Sequence, residues 1–227
     1  MISWSPIAGW MGFPRLTRSE NLTHSYTLTY KLTDKTGEAW TSRLIRFKNK
    51  DQAAIFGAAR LLYKAVPDLI KAVGVDVNDT VFVAALSSGE TTADPKRAIP
   101  FIASESAKLV GARSDIGALS KNVHQKIHNL FSADKRDAEL DKAEYEAKKL
   151  DATNVFVFDD FITRGATLSK IATAILEQNP KSKVYGVALA KAERVDWCPN
   201  PDNDQVPQRW DQIWQQGEQE AASAEKG

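Results

Sequence analysis

The stretch Val155-Phe156-Val157-Phe158-Asp159-Asp160-Phe161-Ile162-Thr163-Arg164-Gly165-Ala166-Thr167-Leu168 constrains this chain more than any other. Four consecutive apolar residues predict a strand covered on both faces. Two adjacent carboxylates follow, then a short loop with hydroxyls and one glycine, then helical spacing. That order predicts a negative pair, a backbone cradle and a helix N-terminus at the carboxyl edge of a buried strand. Exposed N–H groups and the positive end of a helix dipole suit a phosphate, and carboxylates beside them suit hydroxyls or a hydrated divalent cation. A sugar phosphate satisfies both halves. The bland alternative is an ordinary strand-to-helix turn with Thr167 as N-cap. Adjacent carboxylates repel, however, and a bare turn gains little by holding both.

At 227 residues the chain suffices for one sizeable α/β domain with decorations, and two independent domains would be cramped. The apolar content of 43% and charged content of 26% are those of a soluble globular protein. A net charge of +1 gives no global push towards nucleic acid or anionic membrane. The single cysteine, Cys198, excludes an intramolecular disulfide framework and a cysteine-based zinc cluster, as expected of a protein in a reducing cytoplasm. It sits in a Pro/Asn/Asp-rich stretch with no histidine nearby to activate it, which makes it an inert thiol. No basic-then-apolar signal opens the sequence and no apolar run reaches about 18 residues, so no membrane partner is expected.

Residues 1–20 read as irregular, broken by Pro6, Gly9, Gly12 and Pro14. Tyr26, Leu28, Tyr30 and Leu32 then alternate with Thr27, Thr29, Lys31 and Thr33, the period of a half-buried strand. Asp34-Lys35-Thr36-Gly37 reads as a turn and Ala39 to Phe47 as the returning strand, giving an N-terminal β-hairpin over 22–48. A core over 51–195 follows. Helical spacing runs from Asp51 to Val73, with Pro67 expected to bend or split the helix. Val81 to Leu86 predicts a buried strand, Ile99 to Val110 a helix stopped by Gly111, and Ser114 to Leu119 a short strand. Asp134 to Leu150 carries opposite charges at helical spacing, which reads as a solvated helix; a mobile cover over a site is the alternative. A strand over 154–158, a helix from Thr167 to Gln178 and a strand from Val184 to Ala190 complete the pattern. Such alternation implies an α/β fold on a doubly wound parallel sheet with right-handed crossovers, one domain over 1–195. The remaining 196–227 predict a partly disordered C-terminal tail that docks through Trp210, Ile213 and Trp214 and frays from Glu218 onward.

The acidic pair with its Thr/Gly turn resembles the phosphoribosyl-diphosphate (PRPP) signature of the type I phosphoribosyltransferases, closely over residues 155–168. The resemblance implies that Asp159 and Asp160 meet the ribose hydroxyls, while Thr163, Arg164, Gly165, Ala166 and Thr167 wrap the 5′-phosphate. Arg164 departs from the pattern, because many members carry a second threonine there; its guanidinium either strengthens a phosphate contact or pairs elsewhere. Within the family the layout over residues 44–195 is most similar to the ComF-type branch. The lead-in Leu44 to Asp51, Arg97 ahead of its helix, and Arg136 carry that wider similarity. The N-terminal zinc-binding cysteines of many ComF-like proteins are absent. The resemblance implies Mg²⁺ as cofactor, PRPP and a small nitrogenous base as substrates, and a homodimer as one common assembly. As the alternative, it admits a non-catalytic PRPP- or nucleotide-binding protein acting in DNA uptake or regulation.

By position, Leu86-Ser87-Ser88-Gly89-Glu90-Thr91-Thr92 is similar to the diphosphate-binding loop of that family, with Ser87, Ser88 and Gly89 allowing close backbone approach to a charged ligand. Lys96 and Arg97 follow, where the family uses a cation to neutralise diphosphate. His124 and His128 lie four apart, but no glutamate stands between them and no third ligand is evident, so no protein-built metal site is expected. Basic residues from Lys31 to Lys50, interleaved with Tyr30, Trp40 and Phe47, could neutralise and stack a single nucleic-acid strand. The same aromatics are more simply the hydrophobic face of the hairpin. No phosphate-loop lysine pattern and no Gly-x-Gly-x-x-Gly occurs, which disfavours nucleotide kinases and nicotinamide enzymes.

Overall fold

The apolar runs pair as a sheet that is parallel over most of its width. The computed structural model describes residues 5–125, 132–197 and 207–224. In chain order its elements are β1 (Ser5–Ile7), β2 (Trp10–Phe13), β3 (His24–Leu32), α1 (Ala39–Lys48), α2 (Gln52–Val73), β4 (Thr80–Ala84), α3 (Ala98–Val110) and β5 (Arg113–Ser114). Then come β6 (Leu119–Ser120), α4 (Ala133–Asp141), β7 (Glu146–Ala147), β8 (Asn154–Ile162), α5 (Ala166–Gln178), β9 (Lys183–Glu193) and α6 (Gln208–Ala224). The main sheet runs β1-β2-β3-β9-β8-β4-β5, and β6 with β7 forms a separate two-stranded ladder. β3, β9, β8, β4 and β5 are mutually parallel, while β1 and β2 add on antiparallel.

Period-two alternation divides the core. Phe82 and Ala84 of β4, with Phe156 and Phe158 of β8, join one cluster with Leu61, Leu62, Val66 and Leu69 of α2, Ile102 of α3, and Trp210 and Trp214 of α6. Val81, Val83, Val155 and Val157 face the other way, against Leu168, Ile171 and Ile175 of α5. Helices therefore cover both faces, as a parallel sheet requires. From β4 the chain adds β5 on one side and β8, then β9, on the other, so the order reverses between β4 and β8. Ligands of open α/β sheets gather outside the carboxyl ends of strands at such a reversal.

Those two strands separate there. Their register ends at Ala84 opposite Phe158, with Ala85 N–H donating to Phe158 O at 2.8 Å. β8 continues to Ile162, paired only on its other side, where Asp159 lies opposite Ala188 and Phe161 opposite Ala190. The acidic pair thus sits on an edge that β4 has left.

Several expectations change. No hairpin spans 22–48: Ala39 to Phe47 is part of α1. Glu38 caps it, its carboxylate accepting from Trp40 N–H at 3.0 Å and Thr41 N–H at 2.7 Å. Trp40, Leu44 and Phe47 fall on one buried helical face. β3 already has β2 and β9 as neighbours, so no returning strand is needed. Residues 5–13 are not irregular but form the β1–β2 ladder. Pro67 does not split α2; the lost backbone bond costs about 3 kcal/mol, and burial of Val66, Leu69 and Ile70 at about 1.5–3 kcal/mol each offsets it. The strand expected over 114–119 divides into β5 and β6. The charged stretch 134–150 is helical only to Asp141. The tail does dock, and α6 stays helical past Glu218, with Gly217 and Ala221 buried. Cys198 and His128 lie outside the described residues. No helix among the described residues is long and apolar enough to cross a membrane.

Candidate functional site

Three chain segments meet at the carboxyl edge of β8 and β4. The first, Thr163 to Thr167, turns the chain from β8 into α5. Gly165, with φ of 84°, is the N-cap, and no side chain caps this helix start. Thr167, which the ordinary-turn alternative would make the cap, lies inside the first turn. A Cβ on Gly165 would come within 3.2 Å of Ser19 Cβ and 3.3 Å of Arg18 O, so both conformation and packing demand glycine. Arg18 N–H donates to Arg164 O at 2.8 Å, which ties the turn to the segment before β3. Arg164 pairs elsewhere rather than lying free: its Nη2 is 3.3 Å from one oxygen of Asp137 on α4, whose other oxygen is 3.2 Å from Arg18 Nη2. Thr163 is exposed, while Ala166 and Thr167 are half-buried.

The second segment is the acidic pair. Asp159 Oδ1 accepts from Asp160 N–H at 2.8 Å, and Asp160 Oδ1 from Phe161 N–H at 2.7 Å, so each carboxylate folds back on the next peptide. Desolvation, then the neighbouring Asp160 charge, pushes the Asp159 carboxyl up to about 7. Asp160 pairs with Lys48 at the end of α1, with side chains 21% and 53% exposed. A pair that wet is worth about 1 kcal/mol or less and exchanges readily for another partner. Near Asp159, the Tyr145 hydroxyl is buried without a hydrogen-bond partner among the described residues. Burial, then the Asp159 charge, raises its pKa.

The third segment is the loop after β4. Glu90 organises it: Oε2 accepts from Ser87 N–H at 2.7 Å and is ion-paired with Arg97, while Glu90 N–H donates to Ser87 O at 3.0 Å. Beneath it Lys121 is 5% exposed. Its Nζ donates to Ser88 O and Asn122 O, each at 3.1 Å, and burial lowers its pKa while Glu90 opposes the shift. Ser87 and Gly89 are exposed and Ser88 half-buried. A Cβ on Gly89 would meet nothing within 4 Å, so the space over it is open to a ligand.

Of the residues expected from sequence, the fold brings Asp159, Asp160 and the turn 163–167 to one edge. The Ala85–Phe158 bond sets Ser87, Ser88 and Gly89 beside that edge. Arg97 is drawn to Glu90 and serves as N-cap residue of α3, whereas Lys96 is exposed. Lys48, Glu90, Lys121, Asp137 and Tyr145 were not anticipated in these positions. Among the described residues no group of three or more His, Cys, Asp or Glu converges as a metal cage. No protein-family model matches the chain, and no curated protein matches it.

Proposed function

We propose that the protein is a Mg²⁺-dependent phosphoribosyltransferase of the type I kind, binding PRPP and transferring its phosphoribose to a nitrogenous base. The observation that carries the reading is the juxtaposition of the Asp159-Asp160 pair with the glycine-led start of α5 on the unpaired edge of β8. Asp159 and Asp160 take the ribose hydroxyls. The amides of 163–167 take the 5′-phosphate, aided by the dipole of α5. Ser87, Ser88 and Gly89 face the diphosphate, with Arg97, Lys121 and the more exposed Lys96 as nearby cations.

Two adjacent carboxylates without a third ligand fit Mg²⁺, which keeps most of its oxygens from water and substrate phosphates. When bound, it supplies charge neutralisation to the departing diphosphate. The chain's own residues contribute position and electrostatics, so no protein nucleophile is required. Titration calorimetry with PRPP and Mg²⁺ tests this. The Asp159→Asn/Asp160→Asn double variant should lose affinity by at least about a hundredfold; unchanged affinity rejects the reading.

One observation favours a second reading, a ComF-like PRPP- or nucleotide-binding protein without turnover. Asp160 and Glu90 are each neutralised by a cation of the chain itself, Lys48 and Arg97, so the cradle is electrostatically satisfied without catalysis. Diphosphate release in the presence of PRPP, Mg²⁺ and a panel of bases separates the two.

A further inference from the structure

Phe161 follows the acidic pair directly and is half-buried at the carboxyl end of β8. Phe47 packs edge-on against it, with ring centroids 6.4 Å apart and an interplanar angle of 70°. Lys31 from β3 and Lys48 from α1 converge on the same ring, their Nζ atoms 5.7 and 5.6 Å from its centroid. Asp160 pairs with Lys48. Both cations act on Asp160, and Lys48 also acts on Asp159, a carboxyl that burial pushes up to about 7 and that is therefore a weaker counter-charge. The repulsion is felt: burial, then the Lys48 charge, holds the Lys31 ammonium below its usual range, with Asp160 opposing. The Lys48–Asp160 pair, with Lys48 largely exposed, gains little stability from a second lysine, which adds only like-charge repulsion.

We infer that the acceptor is a planar nitrogenous base bearing an acidic substituent, seated against Phe161 with its acid between Lys31 and Lys48. The inference rests on the phosphoribosyltransferase reading and names the substrate class of that site. The ring would provide aromatic contact, and the two ammonium groups would provide charge-assisted bonds that a neutral base cannot return. The site adjoins Asp160, so such a base lies beside the ribose. Two lysines around one ring suit a single small acid; tracking a nucleic-acid backbone takes a longer cationic groove.

Diphosphate release is measured with PRPP, Mg²⁺ and either acidic probes (orotate, nicotinate) or neutral ones (adenine, hypoxanthine, uracil). At least one acidic probe should exceed every neutral base in kcat/KM by about tenfold or more. Lys31→Gln should raise the KM of that acid by about tenfold, and Lys31→Arg should restore most of the loss. A neutral base turned over best, an acid KM within about twofold of wild type in Lys31→Gln, or no probe accepted at all overturns the inference. Calorimetry with PRPP alone, on the same protein, separates the failures. PRPP binding without an acid preference sinks only the acceptor assignment; absence of PRPP binding removes both.

Discussion

Lys121 donates from its ammonium to the carbonyl of Ser88 at 3.1 Å, from a position almost wholly closed to solvent. A buried lysine is costly unless its donors are used, and here they fasten the loop after β4 from beneath. Lys121→Met keeps the apolar stem and removes the donors. The expected result is a folded protein whose PRPP affinity falls about three- to tenfold, the equivalent of about one hydrogen bond. Calorimetry on the variant, with a thermal melt as control, checks it.

Asp159 carries a pH signature. Burial, then the Asp160 charge, pushes its carboxyl up to about 7 from the ordinary 3.8 of a solvated aspartate. A raised folded-state value means the native state holds the extra proton between those limits. The stability that Asp159 contributes is therefore full below about pH 4 and is lost as pH rises through about 7. Urea unfolding from pH 4 to 8 should show Asp159→Asn gaining on wild type as pH increases. Parallel curves would mean that the carboxyl is not desolvated.

Gly165 stands at φ of 84° with Ser19 and Arg18 against the place a Cβ would occupy. Gly165→Ala should cost about 1–3 kcal/mol of stability and weaken binding of PRPP more than a stability loss alone explains. A wild-type melting temperature and wild-type affinity would show that the turn does not need this geometry.

Asp137 holds Arg18 and Arg164 together from α4. Asp137→Asn breaks both pairs, each partly exposed and worth about 1 kcal/mol or less. Amide exchange should accelerate over α4 while the global melting temperature moves by only a few degrees. Unchanged exchange there would mean that other contacts anchor the helix.

The legible parts of this chain were those with local signals. Val155 to Phe158 and the helix after Gly165 announced themselves by period and by breakers. Both flanking strands nonetheless run longer than their apolar runs, because β8–β9 pairing continues through Asp159 and Phe161 to Ile162. The residues of Ala39 to Phe47 suit either a strand or a helix, and the deciding contact is the Glu38 cap. The partners of the site were hidden by chain separation: Lys48 is 112 residues from Asp160, Lys121 is 33 from Ser88, and Arg164 is 27 from Asp137. No local pattern encodes such pairs; only the tertiary fold brings their segments together.

In the proposed function, one strand edge clasps a phosphorylated pentose by its hydroxyls and its phosphate together. A crystal structure with PRPP and Mg²⁺ tests it most directly. Ribose oxygens are expected within hydrogen-bond reach of Asp159 and Asp160, and the 5′-phosphate on the amides between Thr163 and Thr167. PRPP bound elsewhere, or that edge left untouched at saturating ligand, would contradict it.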